Sequence, residues 1–201
     1  LIIDKTRKDN NKLKKGKETN KEKDLNEKIL SIKIESEKEK ETNDLIKAKE
    51  ELEKTTSKGR VVYKVCNVSK LEELQELMKY AISEFESVDI WINNAGVNQP
   101  QKAIWELTES EINTVIDVDL KGAIYGSKVA MEEMCKNHKG AIYNIEGYGS
   151  NDAHMLGLNM YGTSKRAVTY FTESLAQEAE ERNTGVIVGK LSPGIMITEF
   201  T

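Results

Sequence analysis

Between residues 60 and 191, short apolar segments alternate with segments whose apolar residues recur at helical spacing, and this alternation constrains the fold most. Four segments rich in β-branched residues are predicted to be strands: Arg60–Cys66, Val88–Ile92, Ala141–Ile145 and Gly185–Leu191. Because consecutive strands separated by helices lie parallel in one sheet, the pattern predicts an α/β fold with crossover connections.

The segments around these strands have the spacing of helices, predicted over residues 44–59, 69–85, 108–137 and 160–181. Ser69 with Glu72, and Thr108 with Glu111, form capping boxes at two of the predicted helix starts. The strands are apolar along their whole length, as in sheets covered by helices on both faces. We therefore expect a doubly wound, Rossmann-like parallel sheet in a three-layer α/β/α arrangement.

The first part of the chain differs from the rest in composition. Residues 9–43 are rich in Lys, Glu, Asn and Asp without sustained apolar periodicity, and are predicted to be a charged, largely disordered low-complexity insert. Residues 1–8 are interpreted as the remnant of a second strand, and residues 44–201 as the core domain. Because the chain begins with Leu1, not Met, the fold is expected to be incomplete at its N-terminus, and targeting cannot be read.

Charge and cysteine content exclude several classes of protein. The 30 basic and 34 acidic residues leave a net charge of −4, and the charge runs mix both signs with almost no aromatic residues, so no nucleic-acid surface is predicted. No apolar stretch is long enough to cross a membrane. Cys66 and Cys135 are predicted to be buried or half-buried free thiols, as in a reducing compartment. His138 and His154 lack ligand spacing, so no metal site is predicted.

Tyr161 and Lys165 are four residues apart at the start of the last predicted helix, which places both side chains on one face. A phenol has a pKa of about 10 in water, and a neighbouring ammonium lowers it by stabilising the phenolate. Such a pair can give a proton to a carbonyl oxygen while hydride arrives at carbon, or act in reverse. Taken alone, the pair also fits an ordinary helix surface.

Two loops follow predicted strands at the edge of the sheet where ligands of such folds bind. Asn93–Gly96 follows one strand directly, and Gly96 lets a ligand approach the backbone. Pro193–Gly194 follows the last strand, with Thr198 available to hydrogen-bond a carboxamide or phosphate. Taken singly, each loop also fits a simple turn.

In their order and spacing, these segments resemble the short-chain dehydrogenase/reductase family over about Leu45–Thr201. The matching segments are Cys66–Ser69, Asp89–Gly96, Asp117–Gly122, Tyr161–Lys165 and Leu191–Gly194, followed by Thr198. The resemblance implies a nicotinamide-dependent oxidoreductase acting on a small-molecule carbonyl or alcohol. It also implies homo-oligomers paired through the last two long helices, with Met131, Met134 and Tyr170 as candidate contacts.

The resemblance assigns a role to each matching residue. Tyr161 is the proton donor or acceptor, and Lys165 lowers its pKa and holds the nicotinamide ribose. The remaining cofactor contacts would be Asn67 and Val68 at the adenine, Asn94, Ala95 and Gly96 along the cofactor, and Pro193, Gly194 and Thr198 at the nicotinamide end. Three segments, Asp89–Gly96, Tyr143–Asp152 and Tyr161–Lys165, resemble the chlorophyll(ide) b reductases and their bacterial relatives, which implies reduction of a tetrapyrrole formyl group with NADPH.

Three departures from the family pattern bear on activity. The Gly-rich phosphate loop is missing, because only Gly16 and Gly59 precede Gly96; the loop is expected upstream of Leu1, and the chain as written should bind a dinucleotide poorly. Asp119 stands where the family has a catalytic Asn. An ionised Asp only accepts hydrogen bonds, and its charge should raise the pKa of the catalytic phenol. The alternative for Asp119 is a solvated helix residue.

The third departure concerns the serine that binds the substrate carbonyl in the family. Glu146–Gly147 occupy its place, so that Ser150 is the nearest replacement, with Tyr148 as a weaker rival. Ser150 fits a plain loop residue equally well. Cofactor choice is read after the second strand, where Asp4 favours NAD and Arg7 favours NADP; we expect NADP, with NAD as the alternative.

Two functions from different classes follow from these observations. The first is an NADPH-dependent carbonyl reductase located in the cytoplasm or an organelle stroma. The second is an inactive scaffold or cofactor-sensing protein on the same fold, favoured by the missing loop and Asp119 and opposed by the Tyr161–Lys165 pair. An incomplete gene product is a third reading, because the chain also ends at Thr201, where the family's substrate-covering loop would begin.

Overall fold

The computed structural model describes residues 42–54 and 60–194, which belong to two compact units divided between Val65 and Cys66. In the first unit, α1 covers residues 42–54, as the apolar spacing after Asp44 predicts. The second unit contains the sheet. The predicted strand remnant at residues 1–8 and nearly all of the predicted insert at residues 9–43 lie outside the described residues.

The second unit is built on a parallel sheet. Its strands, in spatial order, are β1 (Ile90–Asn93), β2 (Gly140–Ile145) and β3 (Val186–Leu191). Trp91 of β1 pairs with Ile142 of β2, which pairs in turn with Val188 of β3. Because all three strands run parallel, their carboxyl ends meet at one edge, and the predicted α/β class is confirmed.

α2 (Leu71–Phe85) precedes β1, α3 (Glu109–Val115) and α4 (Gly122–Asn137) lie between β1 and β2, and α5 (Asn159–Glu181) lies between β2 and β3. The predicted box at Thr108 is confirmed, because its hydroxyl accepts the N–H of Glu111 at 3.2 Å and its own N–H donates to the Glu111 carboxylate at 2.8 Å. The predicted helix over residues 108–137 is interrupted by a wide π-helical turn, Ile116–Lys121, between α3 and α4.

Two local predictions were wrong. Arg60–Cys66 forms no strand, because strand pairing requires a neighbouring strand and the sheet described here pairs β1, β2 and β3 with one another. The capping box at Ser69 does not form, since α2 begins at Leu71. Instead, the side-chain oxygen of Asn67 accepts hydrogen bonds from the Ser69 N–H at 3.0 Å and from the Ser69 hydroxyl at 2.7 Å.

The core of the second unit lies on one face of the sheet. Trp91 and Ile142 point into it and pack with residues of α2 and α4, including Leu74 and Met134. Met134 is only 1% exposed, so its proposed role as a subunit contact was wrong, because the core already buries its side chain. The opposite face carries exposed isoleucines, Ile90, Ile92 and Ile187. The third layer of a three-layer arrangement is not part of residues 66–194.

Two smaller predictions concern thiols and membranes. Cys66 is buried and Cys135 half-buried, and neither forms a disulfide bond, as predicted. Among the helices of the described residues, none has the length and apolar character needed to span a membrane.

Candidate active site

A buried network of polar side chains holds the carboxyl ends of β1 and β2 together. The Asn93 amide donates to the Asn144 side-chain oxygen at 2.7 Å and to the Ser127 hydroxyl at 3.0 Å. The Asn144 amide in turn donates to the Thr172 hydroxyl of α5 at 2.8 Å. Because Ser127, Asn144 and Thr172 are almost completely buried, each of these bonds replaces one to water, and the network fixes α4 and α5 against the strand ends.

The π-helical turn between α3 and α4 directs Asp119 into the protein. The side chain is 2% exposed, so its interpretation as a solvated helix residue was wrong. Its Oδ1 accepts the backbone N–H of Val97, in the loop after β1, at 2.7 Å. Its Oδ2 is buried without a hydrogen-bond partner among the described residues. A buried carboxylate oxygen without a partner is costly unless the group takes up a proton or a ligand reaches it.

Burial raises the pKa of Asp119 to about 6, against the opposing effects of the Lys165 ammonium and the Val97 N–H. The carboxyl is therefore ionised at neutral pH but titrates only slightly below it. A charge that appears and disappears in this range can change the field acting on neighbouring groups.

Tyr161 and Lys165 lie on one face of α5, as predicted, and both are buried. The Lys165 Nζ lies 5.6 Å from the centre of the Tyr161 ring and 3.5 Å from the carbonyl oxygen of Ile145, the last residue of β2. A Cβ built on Gly96 would lie 3.6 Å from both the Lys165 Nζ and the Asp119 Oδ1. The loop after β1, the π-helical turn and α5 thus meet around one ammonium group.

The pKa of the Tyr161 phenol is raised, whereas a neighbouring ammonium alone would lower it. Burial, followed by the charge of Asp119, raises the pKa of Tyr161 to about 12. The effect expected of Asp119 is therefore found, whereas the lowering expected of Lys165 is not among the causes of the shift. Burial also lowers the pKa of Lys165, and the Asp119 carboxylate partly restores it.

Gly147 provides the space occupied by the phenol. A Cβ at this position would lie 2.5 Å from the Tyr161 hydroxyl oxygen and 3.0 Å from the Lys165 Cε, closer than such atoms approach. A side chain at Gly147 would thus overlap the space that the Tyr161 side chain occupies. Only a residue without a side chain fits beside Tyr161 in this arrangement.

Ser150, the predicted replacement, is buried one turn further along this loop. Its N–H donates to the Gly147 carbonyl at 3.1 Å, and its carbonyl accepts from the Arg166 guanidinium at 2.9 Å. Tyr148, the rival candidate, is 44% exposed, and its hydroxyl donates to the His154 carbonyl at 3.2 Å. The backbone of Ser150 is therefore fixed next to Gly147, whereas the Tyr148 hydroxyl is engaged with a neighbouring loop.

Several predicted cofactor residues surround a pocket at the ends of the strands. Its lining includes Val68, Asn94 and Ala95, together with Asn93 and Gly122. Gly122 lies so close to Val68 that a Cβ there would be 2.7 Å from the Val68 Cγ2. The pocket and the Asp119 Oδ2, which has no hydrogen-bond partner among the described residues, offer contacts to a polar cofactor at the strand ends.

Three other predicted cofactor residues, Asn67, Pro193 and Gly194, are not part of the lining of this pocket. The Asn67 side-chain oxygen is engaged in its turn with Ser69. Pro193 and Gly194 are exposed at the end of β3. Arg7 and Thr198 lie outside the described residues. Across residues 42–54 and 60–194, no three His, Cys, Asp or Glu side chains form a group that could hold a metal ion.

One residue of the site was not identified from the sequence. Gln99, 4% exposed, follows the Asn93–Gly96 motif in the loop after β1, and its side-chain oxygen accepts the backbone N–H of Tyr161 at 2.9 Å. No spacing rule identifies such a residue, because a single amide in a loop is usually solvated.

This fold and site define a short-chain dehydrogenase. The family model described as short chain dehydrogenase matches residues 13–201, and the chain belongs to that family.

Two individual proteins show which members of the family the chain is similar to. The chain is 34% identical over 154 residues to the probable chloroplastic chlorophyll(ide) b reductase NYC1 of Arabidopsis thaliana, which covers 76% of this chain and 31% of that protein. It is 32% identical over 142 residues to glucose 1-dehydrogenase 2 of Bacillus subtilis (strain 168), covering 70% of this chain and 54% of the relative.

A solved structure, ElxO with NADP bound, matches with a TM-score of 0.63 at 26% identity, covering 69% of this chain and 54% of that one. The chain thus spans less than a third of the Arabidopsis reductase and just over half of the Bacillus dehydrogenase.

Proposed function

We propose that the protein is an NAD(P)H-dependent carbonyl reductase in which Tyr161 gives the proton to the carbonyl oxygen. The observation that carries the proposal is the buried Tyr161–Lys165 pair, packed against Gly147 and Ile145 at the carboxyl end of β2. A bound nicotinamide cofactor would supply the hydride to the carbonyl carbon. The residues of this chain would bind the substrate, direct the proton and stabilise the charge that remains.

The acidity of the phenol favours the direction of reduction. With its pKa raised to about 12, Tyr161 is protonated at neutral pH and can donate as soon as the carbonyl oxygen gains negative charge. An alkoxide is a much stronger base than a phenolate, so proton transfer from Tyr161 is downhill. The Lys165 ammonium then stabilises the phenolate left behind.

The cofactor would lie along the loop after β1. Val68, Asn94 and Ala95 line the pocket, and the half-buried Gly96 lies beside the Lys165 Nζ. The ammonium at that point can donate hydrogen bonds to ribose hydroxyls. NADP is the preferred cofactor, supported by the NADP-bound structural neighbour. The assignments of Asn67, Pro193, Gly194, Arg7 and Thr198 to the cofactor stay predictions.

The substrate would be the formyl group of chlorophyll(ide) b. The support is the identity of 34% to the Arabidopsis reductase across 76% of this chain. Ser150 would bind the carbonyl oxygen, because Gly147 leaves no room for a side chain at the family's serine position. With this substrate, the protein would be located in an organelle stroma. It would form a homo-oligomer in which the exposed Tyr170 is a contact between subunits.

A second candidate is a cofactor-sensing protein without turnover. The buried Asp119 carboxylate favours it, because ionised Asp cannot donate the hydrogen bonds of the family's Asn. In that case the protein would bind NADPH but would not oxidise it in the presence of any carbonyl.

Both candidates are tested by following NADPH oxidation by the whole protein with chlorophyllide b and with simple aldehydes. Tyr161→Phe should lower kcat by about 10²–10⁴-fold. Tyr170→Phe is the matched control at an exposed position of the same helix; it keeps the ring that would contact another subunit and should retain kcat. Activity on simple aldehydes alone would reject the tetrapyrrole substrate. Equal turnover by Tyr161→Phe and wild type would reject the mechanism, and NADPH binding without turnover would favour the sensing protein.

A further inference from the structure

In the first turn of α5, the Asn159 side chain accepts the Met160 N–H at 3.0 Å, but no side chain of the helix accepts the Tyr161 N–H. The N-cap residue of α5, Leu158, makes no side-chain hydrogen bond to the helix, and the first N–H groups of any α-helix have no acceptor within it. Tyr161 is the third residue of α5, so its N–H is one of these groups. The residue that carries the phenol therefore needs an acceptor from elsewhere in the chain.

Gln99 supplies that acceptor and is itself fixed at both ends. Its Oε1 accepts the Tyr161 N–H at 2.9 Å, and its Nε2 donates to the carbonyl oxygen of Gly157. The side chain is 4% exposed. A buried amide bonded on both sides has one orientation, because turning it over would set donor against donor and acceptor against acceptor.

The loop that carries Gln99 is anchored a second time, two residues earlier. There the Val97 N–H donates to the Asp119 carboxylate at 2.7 Å. Residues 97–99 thus connect Asp119 to the residue that carries the phenol. Gly157 allows the two loops to approach, because its φ of +79° and the short 2.8 Å from its Cβ position to the Gln101 Cγ both exclude a side chain.

We propose that Gln99 is a positioning residue, which sets the Tyr161 phenol relative to the cofactor loop by capping the first turn of α5. Nothing in its geometry brings it to the reacting atoms, so its effect is exerted through Tyr161. The role in catalysis rests on the proposed carbonyl reductase, whereas the structural part can be measured without turnover.

Gln99→Met tests the proposal, because methionine keeps the length of the side chain but can neither donate to Gly157 nor accept from Tyr161. Gln99→Glu separates the two bonds, keeping an acceptor for Tyr161 and losing the donor to Gly157. Gln101→Met is the matched control: its amide lies in the same loop, is exposed and donates one hydrogen bond, at 3.3 Å to the Leu156 carbonyl.

Two measurements on the whole protein decide the proposal. Amide hydrogen exchange should be at least ~10-fold faster at Tyr161 in Gln99→Met and unchanged there in Gln101→Met. Displacement of a reacting group by about 1 Å costs on the order of 100-fold, so kcat should fall ~10–100-fold while the KM for NADPH stays within ~2-fold. Gln99→Glu should retain slow exchange at Tyr161 and give an intermediate kcat.

The outcomes separate this proposal from the proposed function. If the wild-type protein reduces no carbonyl, the proposed function fails, and exchange at Tyr161 still decides whether Gln99 caps the helix. If exchange at Tyr161 is unchanged in Gln99→Met, the positioning role is overturned even in an active enzyme. An equal loss of kcat, NADPH affinity and unfolding free energy would also overturn it, because it would show general destabilisation.

Discussion

Asp119 and Lys165 lie close together around Gly96, with the Asp119 Oδ1 and the Lys165 Nζ each 3.6 Å from the position of a Cβ on that glycine. Each group changes the proton affinity of the other, and the carboxylate also raises the pKa of Tyr161. The family's amide would exert no such charge effect. The protonation state of Asp119 therefore controls the field in which the phenol acts.

The first prediction concerns the pH dependence of turnover. With a pKa of about 6, Asp119 is ionised at neutral pH and holds the Tyr161 proton more tightly. Asp119→Asn removes this charge and should lower the pKa of Tyr161. The kcat for reduction near pH 7 should then rise, by at most about 10-fold for each unit by which that pKa falls. In wild type kcat should increase as pH falls through about 6, and the variant should lack this inflection.

The measurement is kcat against pH for both proteins with saturating NADPH. Glu111→Gln is a suitable control. It also removes a carboxyl charge, but the groups that act on this carboxyl are Lys102 and Thr108. Superimposable profiles for wild type and Asp119→Asn would show that this carboxylate does not act on the phenol.

The second prediction concerns stability and follows from the same carboxyl. Its pKa is higher in the folded protein, about 6, than its ordinary value of 3.8, so the protonated form stabilises the fold. That contribution is complete below pH 3.8 and is lost as pH rises through about 6. Asp119→Asn should therefore be more stable than wild type at pH 7, by up to about 3 kcal/mol, and show little difference at pH 4.

Urea unfolding at the two pH values measures this difference. The pH dependence is the informative quantity, because a packing effect of the amide would change the unfolding free energy equally at both. A difference between variant and wild type that is the same at both pH values would show that the charge on Asp119 is compensated in the folded protein.

The third prediction concerns Gly147, one of the two residues, Glu146 and Gly147, that the resemblance places where the family has its serine. Restoring a serine should lower activity, because its Cβ would lie 2.5 Å from the Tyr161 hydroxyl oxygen and displace the phenol. We expect Gly147→Ser and Gly147→Ala to lose kcat to a similar extent, about 10–100-fold, since the cause is the Cβ common to both. Higher activity in Gly147→Ser than in Gly147→Ala would show that a hydroxyl at this position binds the substrate.

Much of the fold could be predicted because its signals are local. The strands β1, β2 and β3 are short β-branched runs, and the Thr108 box marks a helix start within one residue. Arg60–Cys66 has the same composition but forms no strand, since pairing depends on a neighbouring strand and not on the segment itself. The Ser69 box failed because the Asn67 side-chain oxygen accepts the Ser69 N–H, which the box would give to the Glu72 carboxylate, and also accepts the Ser69 hydroxyl.

The site was predictable where spacing fixes geometry and not where tertiary contacts do. The i, i+4 spacing of Tyr161 and Lys165 places them together on any helix. The burial of Asp119 follows from the π-helical turn, and no pattern in the sequence predicts that turn. Gln99 is joined to Tyr161 across 62 positions of sequence, and only the folded chain brings the two together.

The last prediction tests the polar network behind the site. Gly126 lies in the interior of α4, where alanine would ordinarily stabilise a helix by about 1 kcal/mol. Here a Cβ would overlap the side-chain oxygen of Asn93 and lie 3.1 Å from the Trp91 Nε1, which donates to that oxygen at 2.8 Å. Gly126→Ala should therefore lower the free energy of unfolding by about 2–3 kcal/mol, through overpacking and a strained buried hydrogen bond.

Gly162→Ala is the matched control for this substitution. It also lies within a helix, α5, but its nearest neighbour is the Gly149 Cα at 3.8 Å, an ordinary contact. This variant should be as stable as wild type or more stable. Urea unfolding followed by tryptophan fluorescence reports on both, since Trp91 is buried beside the network. Equal stability of the two variants would mean that α4 can shift away from β1, and that the Asn93 network does not hold the strand ends in place.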